Sequence, residues 1–201
     1  MFGLIIKDFK NVFGMMIYYL ILLALFLTIT LLSDNIYFYI GAVVFFTISV
    51  PLSALAYDEK DNWDKFALAA GVSRNQLAVS RYLLALAVLF PLWLISFLLL
   101  LAEDLRSYEN LSVVLMYGGI SLLSTEIVLP LVFRIGTEKA RLLYIIVILA
   151  VLVLGGLFAA WVETIGGMSV LIASLCILAV GIVGFFISMK ISCSIYRHKD
   201  F

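Results

Sequence analysis

"YDEKDNWDKFALAAGVSRNQLAVSRYL", residues 57–83, is the long polar stretch that separates two extended apolar runs. Its local signals divide it into two helices. Asp61 is placed to cap the first, and Asp64, three residues on, favours the positive end of that helix. "AAG" stops it, with Gly71 as the left-handed residue past the helix end. Ser73 followed by Gln76 is a capping box, and it opens a second helix that continues through "LAVSRYLLALAVLF" into apolar sequence. The stretch therefore predicts a helix of about two turns, Trp63 to Ala70, set across the ends of two spans and joined to one of them.

The apolar runs on either side belong in a bilayer. The chain has 201 residues, of which 65% are hydrophobic and 13% charged, with a mean hydropathy of +1.20. Soluble domains are about 45–50% apolar and about 25% charged. A spanning helix needs about 20 apolar residues. Six segments meet that length: Met15–Leu32, Ile36–Ala56, Tyr82–Ala102, Leu111–Phe133, Leu142–Trp161 and Gly167–Met189. The expected fold class is all-α integral membrane, a single transmembrane domain over 1–201 with residues 57–81 as its cytoplasmic connection. Pro51 and Pro130 fall inside the second and fourth spans, where neighbouring helices must satisfy the carbonyl that each proline frees.

Charge orients the bundle. Twelve of the 13 lysines and arginines fall on one side of the spans and Arg106 alone on the other, which places both termini and the long loop in the cytoplasm. Before the first span, "MFGLIIKDFKNVFG" sets Phe2, Ile5, Phe9, Val12 and Phe13 on one stripe opposite Lys7, Lys10 and Asn11. This pattern predicts a helix in the interface plane, ended by Gly14; the alternative is the start of the first span itself.

Several function classes are disfavoured. There is no G-x-x-x-x-G-K-[S/T] phosphate loop, the sole histidine is His198 in the C-terminal tail, and no basic run points to nucleic acid. Cys176 and Cys193 have neither a disulfide framework nor metal spacing around them.

Two features can carry function. On the short helix Trp63 and Phe66 lie one turn apart, and the stripe continues through Ala67 and Ala70. It either packs against the bundle and headgroups or serves as a peg for a cytoplasmic partner. The acidic start (Asp58, Glu59, Asp61, Asp64) suits a protein partner better than an anionic leaflet. The second feature is Glu126, eight positions before Arg134 and so about 12 Å into the membrane. A charge there costs about 2.5–3.5 kcal/mol, so it should face the bundle interior or a wet cavity. It either lines a substrate path or hydrogen-bonds Ser121, Ser124 or Thr125. Ser49 and Ser53 either add polar lining or satisfy the backbone beside Pro51. Gly155/Ala159 and Gly156/Ala160 allow close helix approach on the fifth span.

Three stretches resemble the small six-span ABC-2-type permeases of bacterial exporters: "GLIIKDF" near the start, "DEKDNWDKFALAAGVSRNQLAVSRYL", and "LPLVFRIGTEKAR" at 129–141. The chain departs from that pattern at Gly71, where proline is expected, and at Arg81, where lysine is expected. The resemblance implies one permease half of an exporter in the bacterial cytoplasmic membrane, working by alternating access or lateral extrusion. It implies a separate ABC ATPase subunit that holds the ATP and Mg, a second permease, identical or related, and amphipathic peptides as cargo. In that reading Trp63 and Phe66 fill a groove on the ATPase, Asp58, Lys65 and Arg74 add polar contacts, and Glu126 lines the path. The rivals are an ion-coupled secondary carrier with Glu126 as its proton site, and a non-transporting anchor that recruits a cytoplasmic protein.

Overall fold

The computed structural model describes residues 2–101, 107–165 and 168–199, and those residues fold as helices joined by short turns. In chain order they are α1 (Phe2–Ser33), α2 (Tyr37–Lys60), α3 (Trp63–Ala69), α4 (Arg74–Leu99), α5 (Tyr108–Ile135), α6 (Thr137–Ile165) and α7 (Met168–Arg197). Among the described residues five helices (α1, α2, α4, α5 and α7) contain windows long and apolar enough to cross a membrane. The sixth expected span falls in α6, a helix of 29 residues. The side chains of Gly155, Gly156, Ala159, Ala160 and Trp161 lie outside the described residues, as does Arg106.

α2 and α5 form the centre. Their apolar windows are 78% and 61% buried within the chain, whereas that of α1 is 6% buried and faces outward. α5 and α7 cross closely because glycines meet at the crossing. A Cβ built on Gly119 would lie 2.8 Å from the Leu178 Cα, and one on Gly181 would lie 2.9 Å from the Gly119 carbonyl oxygen. In a bilayer the lipid tails are as apolar as the helix faces, so close backbone approach supplies the packing that burial supplies in water. Pro130 lacks the N–H that would bond the Glu126 carbonyl four residues back. Ser188 on α7 donates to that carbonyl at 2.7 Å, as the fourth-span proline required.

Two expectations are corrected. Gly14 does not end an in-plane helix, since α1 runs unbroken from Phe2 to Ser33. A lone glycine in a helix costs only about 1 kcal/mol and leaves every backbone bond in place. The helix stops at Ser33 because Asp34 takes a left-handed turn, φ 50°, and the Asn35 N–H returns to the Thr30 carbonyl at 3.3 Å. Asp61 likewise does not cap α3. Its N–H bonds the Tyr57 carbonyl at 3.0 Å and closes α2, and Asn62, left-handed at φ 51°, precedes α3. Asparagine tolerates that conformation better than most residues.

Candidate functional site

The polar stretch folds much as its punctuation indicated. Gly71 has φ +87°. The Val72 N–H bonds the Ala67 carbonyl at 2.9 Å and the Gly71 N–H bonds that of Leu68 at 3.1 Å, which is a Schellman ending to α3. Ser73 then caps α4: the Gln76 N–H donates to its hydroxyl at 3.3 Å while its own N–H donates to the Gln76 side chain at 2.9 Å. A Schellman turn and a capping box therefore join α3 to α4 by a defined turn.

Polar side chains of residues 57–81 then tie this connection to α1, α6 and α7, and its two ends to each other. Glu59 accepts from the Thr137 N–H at 2.8 Å and from its hydroxyl, so a carboxylate sits at the positive start of α6. Gly136 makes this approach possible, since a Cβ there would lie 2.9 Å from Glu59 Oε1. Asp64 accepts from the Tyr196 hydroxyl of α7 at 2.8 Å. Arg74 donates to the carbonyls of Arg197 and Lys199 at 2.6 and 3.0 Å, and Arg197 Nε donates to the Asn75 side chain at 3.0 Å. Asp58 is 1% exposed and accepts from Lys7 of α1 and Arg81 of α4.

The residues expected to face a partner thus separate into two groups. Phe66 is 63% exposed, with its ring 5.3 Å from that of Trp63, and Lys65 is also exposed. Trp63 is half-buried, and Lys7 Nζ lies 4.6 Å above its ring. Asp58 is buried among basic groups and offers nothing to the surface. Arg74 is turned onto the C-terminal end of α7.

Glu126 lies on α5 where it meets α7. Ser121, Ser124 and Thr125 all donate to carbonyls four residues back in their own helix, at 2.8, 2.7 and 2.9 Å, and none reaches the Glu126 carboxyl. The carboxyl instead packs on Gly184 of α7, and its Oε1 is buried with no hydrogen-bond partner. Ser49 and Ser53 do not serve the backbone beside Pro51; they reach the hydroxyls of Tyr144 on α6 and Tyr19 on α1, the second at 3.0 Å. These four hydroxyls line a cavity of about 510 Å³ between α1, α2 and α6, whose walls also include Phe45, Leu52, Ile145 and Lys60. The alternative that Ser49 and Ser53 add polar lining matches this cavity, while nothing local in the sequence marks Tyr19 and Tyr144 as their partners.

The family model described as "ABC-2 family transporter protein" matches residues 3–197. Neither a curated protein nor a solved structure matches the chain. The match takes in nearly every residue, including the polar connection, the Gly136 turn and the last span. The chain belongs to the ABC-2 transporter family, as a permease component of an ABC transporter.

Proposed function

We propose that this chain is one permease half of an ATP-driven exporter in a bacterial cytoplasmic membrane, coupled through α3 to a separate ATPase subunit. The observation that carries the reading is α3 itself: a helix closed by a Schellman turn at its C-terminal end, with Phe66 in the open and Asp64 bonded to Tyr196 of α7. An exposed aromatic on a rigid support is the kind of anchor that dominates protein interfaces. Rigidity matters equally, because a helix bonded to its neighbours passes on the movement of a bound partner and a loose loop does not.

The cargo in this reading is an amphipathic peptide. The cavity between α1, α2 and α6 supports that class, with hydroxyls from Tyr19, Ser49, Ser53 and Tyr144 facing apolar walls. A second permease, identical or related, would complete the path, and the outward face of α1 is the surface available to it. The Glu126 carboxyl packs on Gly184 of α7, apart from these four hydroxyls.

The test is co-purification of the chain with its ATPase, wild type against the double change Trp63→Ala and Phe66→Ala. The reading expects the ATPase to be lost from the variant while the membrane protein keeps its thermal unfolding temperature. Retention of the ATPase by the variant would remove α3 as the docking element. An ATPase that never associates with the wild type would remove the exporter reading.

A further inference from the structure

Four charged side chains meet at the cytoplasmic end of α1, α2 and α4. Asp58 accepts from Lys7 Nζ with both oxygens, at 2.6 and 2.7 Å, and from Arg81 Nη2. Arg81 Nη1 lies 2.5 Å from Asp8, and Lys7 Nζ lies 2.8 Å from Asp8. Asp8, Asp58 and Arg81 are each about 1% exposed. Asp8 meets its partners at ion-pair distance without aligned hydrogen bonds, so Asp58 is the better-bonded carboxylate. Burial, and then the Arg81 guanidinium, pull Lys7 below the usual lysine range, while Asp8 and Asp64 oppose that shift.

Two positive and two negative groups in a dry site are neutral only as a set. Moving one away leaves a buried charge without its partner, so such a cluster holds its helices in one register or lets go as a unit. The planar fork of Arg81 suits this role, since it engages two carboxylates from two helices at once. The cluster also touches α3, because Lys7 lies over the Trp63 ring. A chain of direct contacts therefore runs from α3 to α1 (Trp63 to Lys7) and on through Asp58 to α4 (Arg81).

We propose that Lys7, Asp8, Asp58 and Arg81 form a transmission lock, through which displacement of α3 moves the first turns of α1. This rests on the coupling reading above and deepens it: α1 becomes part of the coupling apparatus, and the four residues are positioning residues that contact neither cargo nor ATPase. The unbroken passage of α1 through Gly14 is what makes such a lock useful. A pull on Lys7 and Asp8 reaches the membrane-crossing part of α1, which borders the cavity at Tyr19.

The experiment measures spin-label distances in the complex with its ATPase, in nanodiscs, with Cys176 and Cys193 replaced by serine. One pair, Ala69→Cys with Arg134→Cys, reports α3; the other, Lys10→Cys with Arg134→Cys, reports α1. ADP and orthovanadate, added together, trap the closed ATPase. In the wild type both distances should change by about 2 Å or more. In Asp58→Asn the α3 distance should still change and the α1 distance should not. Lys7→Gln, at the edge of the cluster and less demanding of the fold, should reduce the α1 change while leaving that of α3. An α1 change of wild-type size in both variants overturns the lock, and so does an α1 distance that never changes in the wild type while that of α3 does. A wild type in which neither distance changes removes the coupling reading, and the lock with it.

Discussion

The α3 end of this bundle and its middle are held together by opposite means. At the α3 end, carboxylates on or next to α3 reach four different helices: Asp58 to α1 and α4, Glu59 to α6, and Asp64 to α7. In the middle, α5 and α7 touch through glycine backbones at Gly119 and Gly181, and a serine serves the carbonyl that Pro130 frees. The difference follows from the solvent. Charges can be assembled near the membrane boundary, where they pair before leaving water altogether, while the hydrocarbon zone rewards small residues and satisfied backbones. Under the proposed coupling, stiffness gained by specific pairs sits where force would enter; close packing belongs where helices hold or slide.

Substitutions should separate the two regimes, and the largest loss is expected at the charged end. Asp58→Asn leaves Lys7 and Arg81 facing each other with a weakened partner and should cost about 3–5 kcal/mol in thermal unfolding. Replacing Asp58 and Arg81 together by leucine should cost less than Asp58→Asn alone, because no uncompensated charge stays buried. A double change that costs more would mean the cluster is worth more than its apolar replacement. In the middle, Gly119→Ala forces α5 off the Leu178 backbone and should cost about 1–3 kcal/mol. If it proves neutral, the α5–α7 crossing is looser than described.

Smaller effects follow. Ser73→Ala removes the hydroxyl half of the capping box and should cost about 1 kcal/mol, read as earlier unfolding with the ATPase still bound below that transition. Glu126→Gln is expected to be the mildest, changing the unfolding temperature little and ATPase association not at all, since the carboxyl has an unpartnered oxygen to begin with. A large loss of ATPase association there would tie the middle of the bundle to the coupling end.

The sequence was most legible where a signal is local. Gly71 and the Ser73/Gln76 pair act within a few residues, and the structure uses them as written. The long apolar runs gave the spans for the same reason, helped by a bilayer that leaves the backbone few choices. Legibility failed where the deciding partner is distant. Asp58 reads as one more charge of an acidic loop, and its partner Lys7 is 51 residues away. A hint was present, since Lys7, Asp8, Asp58 and Arg81 all lie near one membrane boundary with balanced charge. Ser49 and Ser53 mislead in the same way, being adjacent to a proline but bonded to α6 and α1. Gly14 fails differently: α1 runs on through it, and Lys7, on the polar side of that stretch, pairs with Asp58 of α2 instead of facing water.

The most direct test of the account is a photo-crosslinking amino acid placed at Phe66 and, separately, at Phe90, an exposed aromatic in the apolar part of α4 that is 67% accessible against 63% for Phe66. The two positions match in exposure and differ in region. The account predicts that the probe at Phe66 captures the ATPase subunit and that the probe at Phe90 captures only lipid or another permease. An ATPase adduct absent from position 66, with the complex intact, would contradict the claim that this bundle takes its force through α3.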